Sequence, residues 1–161
     1  MKTRLKIAAI LFAGCTSLAW AGKADDIGHG RYLIQTSGCN DCHTAGYMQK
    51  DGDVPESEWL TGDALGWQGP WGTTYPANLR LLVHSLTEAQ WLARARQPMR
   101  PPMPSPSLRV MTDADLKAIY RYVKSLPLKG PAAPAYVPPG GKVATPYLDL
   151  TPKNLPPVAT K

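Results

Sequence analysis

The chain has 161 residues, with 18 basic against 12 acidic side chains, 17 prolines, 14 glycines and three cysteines. This length holds one small globular domain with extensions. Its formal charge of +6 is modest and partly confined to the first residues, so it does not point to nucleic acid as a partner.

The N-terminus has the pattern of a secretory leader. Lys2, Arg4 and Lys6 form a charged region, 7–13 are apolar but too few to span a bilayer, and Ala19-Trp20-Ala21 fits the small-x-small cleavage rule. Cleavage there makes 1–21 a signal peptide and Gly22 the mature start. It leaves 15 basic against 12 acidic residues, a formal +3. Ala13-Gly14-Cys15 resembles the end of a lipobox. A lipid anchor on Cys15 is the minor reading, because Phe12 stands where an aliphatic residue is expected. The expected compartment is the periplasm.

A helix is predicted over 25–37, with Ile27, Tyr32, Leu33 and Ile34 available to pack and Gly38 as its stop. Directly after it comes Cys39-Asn40-Asp41-Cys42-His43. C-x-x-C-H is the attachment signature of a c-type haem. On one helical turn Cys39 and Cys42 share a face, so both thiols can add to the vinyl groups on one haem edge while His43 supplies a nitrogen to the iron. A zinc site would want a second Cys/His pair, but Cys15, His29 and His84 are isolated. A thioredoxin-like pair would sit in a βαβ pattern, which is absent. After leader removal the motif holds the only two cysteines, which suits an oxidising compartment.

Residues 59–80 hold Trp59, Trp67, Trp71 and Tyr75 among Gly62, Gly66, Gly69, Pro70, Gly72 and Pro76, a loop composition. Two readings stand. The aromatics cover core, or Trp71, Tyr75 and Arg80, with Asn78, hold the haem propionates, since indole and phenol donors suit an apolar–polar boundary. A second helix starts at the capping box Thr87-Glu88-Ala89-Gln90, with Leu86 and Trp91 as a hydrophobic staple, and runs to about 97.

The proline-rich loop 97–106 follows, carrying Met99 and Met103. A thioether is a soft, neutral ligand, and Met/His ligation raises a haem's potential. Met103, between Pro102 and Pro104, is the expected second metal ligand beside His43. Met99, His84, His29 or an open position are the alternatives. Met111 reads as core filling. The third helix starts at Thr112-Asp113-Ala114-Asp115, a looser capping box, and Leu116, Ile119, Tyr120, Val123 and Leu126 recur at helical spacing before Pro127 ends it. No strand-period run competes, so the domain (22–126) reads as all-α. A haem would supply much of the core that so small a domain lacks.

Nine prolines fall in 127–161. That tail is read as extended and without secondary structure. It is either a linker or a strap packed on the domain by Tyr136, Val137, Tyr147, Leu148 and Leu150.

The C-x-x-C-H turn, Arg100-Pro101-Pro102-Met103-Pro104, Met111-Thr112-Asp113-Ala114-Asp115-Leu116 and Ile119-Tyr120-Arg121-Tyr122-Val123 together resemble a class I c-type cytochrome over roughly 28–126. The chain is particularly similar to bacterial monohaem cytochromes linked to membrane alcohol, aldehyde and gluconate dehydrogenases. The resemblance implies three to five helices around one covalent haem c, with His43 proximal and Met103 distal. It also implies that the first and last helices cross, Gly28 or Gly30 and Tyr32 meeting the Tyr120–Tyr122 region. The implied activity is one-electron transfer between a dehydrogenase and an oxidase or another cytochrome, with no catalysis of its own. The alternatives are a haem subunit fixed in a dehydrogenase or oxidase complex at a membrane, or a peroxidase or gas sensor if the sixth position is open.

Overall fold

The computed structural model describes residues 15–154, with side chains described from Asp26 onward. The leader's charged and apolar stretches and the lipobox residues 12–14 lie outside the described residues, as do 155–161. Six α-helices are present among the described residues, against the three to five expected. The additional ones are short. The first helix, α1 (Cys15–Thr36), reaches back through the predicted cleavage site rather than starting at 25. After it come α2 (Cys39–His43), α3 (Leu79–His84), α4 (Glu88–Ala95), α5 (Ser105–Val110) and α6 (Asp113–Ser125). No described helix is long and apolar enough to cross a membrane.

The core is built on the crossing of α1 and α6. A Cβ added at Gly30 would lie 2.1 Å from the Ala118 carbonyl oxygen and 2.8 Å from Tyr122 Cβ, so the two backbones touch there. At Gly28 the same atom would meet nothing within 4 Å, which settles the choice between the two glycines. Tyr32 does not join the crossing: it is 60% exposed and stacks on His29. Leu116, Ala118, Ile119, Tyr122 and Val123 form the buried face of α6, against Ile34 of α1 and Val83 of α3.

The caps follow the local rules. Thr112 Oγ1 accepts from Asp115 N at 3.1 Å, and the Asp115 carboxylate accepts from Thr112 N at 3.1 Å. Asp115 also pairs with His29 at 2.8 Å. Hydrogen bonds from Thr112 first, and then from His29, hold its carboxyl below the ordinary range. Thr87 and Gln90 close the same box on α4, and Trp91 donates its indole N–H to Leu116 O at 2.8 Å, joining α4 to α6.

The middle of the chain adds a small sheet to the mainly helical, cytochrome c-like fold that was expected. Strand β1 (Gly66–Gly69) and strand β2 (Gly72–Thr74) pair antiparallel, and β3 (Tyr147–Asp149) adds to β1 in parallel, giving the order β2-β1-β3. Strands β1 and β2 are glycine-bearing, β3 is only three residues long, and none carries an alternation to read. The tail is therefore a strap and has a strand of its own. Thr73 and Val137 exchange both backbone bonds, at 2.8 and 3.0 Å, Gly66 N donates to Pro146 O at 2.9 Å, and Leu150 N donates to Gln68 O at 2.7 Å. Gly72, at φ +94°, lets the strap approach: a Cβ there would sit 2.3 Å from Val137 O. Tyr147 and Leu148 contribute little, being 47% and 41% exposed. Hydrogen bonds, from the backbone and from the side chains of Asn78, Tyr75 and Tyr136, hold the strap more than apolar packing of Tyr147 and Leu148 does.

Candidate functional site

The C-x-x-C-H residues form α2, a single turn set two residues beyond α1. Its underside is fixed by Asn40, which is 1% exposed. Thr44 Oγ1 donates to Asn40 Oδ1 at 2.8 Å and accepts from Leu60 N at 2.8 Å, while Gly62 N donates to His43 O at 2.8 Å. The upper side of the turn, Cys39, Cys42 and His43, opens into a cavity of about 960 Å³.

His43 Nδ1–H donates to Ala77 O at 2.7 Å. That bond sets the tautomer and leaves the Nε2 lone pair free for a metal. Burial pushes the imidazole pKa down, against the smaller upward pull of the Ala77 bond, and so favours the neutral, ligating form. Burial first, and the Asp41 charge second, raise the thiols, Cys39 to about 11. A thioredoxin-like pair needs the opposite shift.

The far wall comes from the proline loop. Both Met99 and Met103 line the cavity, packed against Ala95, Leu108 and Leu116. The loop is fastened at two points. Thr74 Oγ1 of β2 donates to Pro101 O at 2.8 Å. At its far end, Arg96 donates to the carbonyls of Leu108, Arg109 and Met111 at 2.8–3.1 Å and pairs with Asp113 at 2.6 Å. Arg96 was invisible in the sequence as a loop anchor. Its partners are two carbonyls of the last turn of α5 and that of the C-cap residue Met111; the helix begins directly after Pro104 and carries Pro106 in its first turn, where the missing N–H costs nothing.

The residues expected at the propionates divide. Tyr75 lines the cavity, and its hydroxyl shares a 2.7 Å hydrogen bond with Thr145 of the strap. Trp71 is off the wall: its indole donates to Trp67 O at 3.3 Å and its own carbonyl accepts from Tyr136. Arg80 is also off the wall and fully buried. It donates to the carbonyls of Trp59, Glu56 and Pro127 at 2.7–3.1 Å. Asn78 caps α3 and holds the strap at Lys129 and Pro131. Arg80 is thus a clamp between loop, α3 and the end of α6. Arg80→Met leaves three carbonyls short of a donor and is expected to cost about 3 kcal/mol or more in unfolding, read by denaturant titration of the intact protein. His84 and His29 are off the wall as well, bonded to Leu126 O and Asp115. Trp67, read only as loop, is on it.

The model of the family described as Cytochrome c matches residues 28–127. The chain belongs to the cytochrome c family. Searches of the curated proteins and of the solved structures return no match. A cytochrome c is a haem-binding electron carrier rather than, usually, an enzyme, and residues 39–43 agree with the covalent haem c that the family implies. The cavity of this cytochrome c fits such a group in its donors and in its charge. Two thiols and an oriented imidazole stand on one turn and two thioethers on the loop beyond. Among the described residues lining it there is no carboxylate, and Arg94 and Arg100 face the cavity as cations. A group bearing two propionates finds opposite charge there and no like charge.

Proposed function

We propose that this cytochrome c is an exported, single-haem electron carrier of the periplasm, ligated by His43 and Met103, that passes electrons from a dehydrogenase to a respiratory oxidase or another cytochrome. One observation carries the reading: a single cavity joins the Cys39–Cys42–His43 turn to the Met103 loop, sixty residues on. Covalent haem supplies a one-electron ferric/ferrous couple. The chain's own residues do the rest. Cys39 and Cys42 hold the group as thioethers. The Ala77 carbonyl keeps the His43 Nε2 lone pair available, and the thioether of Met103 favours the reduced state and so a high potential. Ile34, Leu79, Leu82, Leu108 and Ile119 on the wall exclude water, which keeps reorganisation on electron transfer small. The two fastenings of the proline loop hold the sulfur in either oxidation state.

Expression with the native leader in a host that matures c-type haem tests the reading. The expected product begins at Gly22 and keeps its haem on a denaturing gel. Replacing both Cys39 and Cys42 with alanine removes that covalent haem completely. A wild-type protein that matures without covalent haem sinks the proposal.

A further inference from the structure

Arg100 stands exposed at the mouth of the cavity and takes part in none of the ion pairs among the described residues. Four other arginines are occupied: Arg31 with Glu56, Arg80 with three carbonyls, Arg96 with Asp113, Arg121 with Asp26 and Glu88. Arg94, on the same wall, and Arg109, off it, are also outside these pairs, but neither is stacked on an aromatic ring among the described residues. Arg100 is instead held flat. Its guanidinium carbon lies 4.0 Å from the centroid of the Tyr136 ring, a cation–π contact that fixes the plane and leaves the N–H edges free.

Both supports of this contact are themselves anchored. Tyr136 donates its hydroxyl to Trp71 O at 2.7 Å, and the next residue, Val137, exchanges two backbone bonds with Thr73. On the other side, Pro101, next to Arg100, accepts from Thr74 Oγ1. The distal loop and the strap thus meet on the β1–β2 ribbon. A planar, pre-oriented guanidinium at the mouth of an apolar cavity without carboxylates is a built receptor for one carboxylate, bound through two parallel N–H donors.

We propose that Arg100, positioned by Tyr136 of the C-terminal strap, pairs with a haem propionate and thereby raises the potential of the carrier. The proposal rests on the cavity being the haem site. The sign follows from charge: an uncompensated propionate favours the ferric form, so cancelling its charge favours the ferrous one. The strap then sets a property of a cofactor attached about a hundred residues earlier, and the tail becomes part of the haem domain.

Potentiometric titration of the holoprotein tests this in Arg100→Gln, Arg100→Lys, Tyr136→Ala and Arg109→Gln. Arg109 is exposed, close in sequence and absent from the wall, so it reports the effect of surface charge alone. Arg100→Gln is expected to favour the ferric form about tenfold, a fall of about 59 mV for one electron. Lysine restores most of it, Tyr136→Ala shifts the potential in the same direction, and Arg109→Gln does not move it. The covalent haem and the methionine–iron charge-transfer band persist throughout. An unchanged potential in Arg100→Gln overturns the proposal, and so does an equal shift in Arg109→Gln. Loss of the band in Arg100→Gln without recovery by lysine also overturns it, since Arg100 would then only shape the loop. If the unsubstituted protein lacks covalent haem, the reading of the cavity fails instead.

Discussion

Met103→Ala is expected to abolish the methionine–iron charge-transfer band of the ferric protein, lower the potential by on the order of a few tenths of a volt and let the ferrous protein bind carbon monoxide readily. Met99→Ala is expected to leave all three properties in place. Both sulfurs are on the cavity wall, so the contrast rests on how the loop is held. Met103 lies between the two fastenings, Thr74 on Pro101 and Arg96 on the end of α5. It is further fixed by its own N–H donating to Arg100 O at 3.3 Å and its carbonyl accepting from Ser105 N at 2.8 Å. Met99 precedes the first fastening; both methionines pack on the same Ala95–Leu108–Leu116 cluster, so the fastenings and not the packing set them apart. A loop tied at both ends cannot slide to offer a second sulfur when the first is removed, so the sixth position opens and small ligands enter. If Met99→Ala loses the band and Met103→Ala keeps it, the ligand is Met99 and the fastenings serve another purpose.

What could be read from the sequence was local. The capping boxes at Thr87/Gln90 and Thr112/Asp115 and the spacing of Leu116, Ile119 and Val123 each need only a few neighbouring residues, and the structure has them where they were expected. The Cys39–His43 turn is the same kind of signal, complete within five residues. The failures share the opposite property. Strands β1 and β2 are glycine-rich, and their pairing is a backbone matter with no side-chain period behind it. The strap joins them from about seventy residues away. α5 was hidden by prolines that a first helical turn accepts. Arg80 and Arg100 are the clearest pair. Each is an arginine beside aromatic residues in sequence or space, yet one is buried under three carbonyls and the other is exposed over Tyr136 at the cavity mouth. Only the tertiary fold decides which is a clamp and which is free to meet a carboxylate.

Gly30→Val is expected to destabilise the protein by about 3 kcal/mol or more, beyond the ordinary cost of overpacking, and to cut the yield of covalently loaded protein. The added atoms have nowhere to go. The first would sit 2.1 Å from a backbone oxygen and 2.5 Å from the Ala118 carbonyl carbon, and a backbone cannot rotate aside as a side chain does. α1 and α6 must separate, which unpacks Ile34 from Ile119, Tyr122 and Val123. The damage reaches the site because only two residues separate α1 from α2. The direction in which Cys39, Cys42 and His43 face the cavity is inherited from the crossing. Gly28→Ala on the same helix supplies the contrast. Its Cβ meets nothing within 4 Å, so the substitution gains helix propensity of up to about 1 kcal/mol and leaves haem loading intact. Chemical denaturation of the two holoproteins, with haem content measured on each, separates the cases. Equal costs at both positions would mean that the helices do not close on Gly30, and that the orientation of the C-x-x-C-H turn is set by Asn40 and Thr44 beneath it instead.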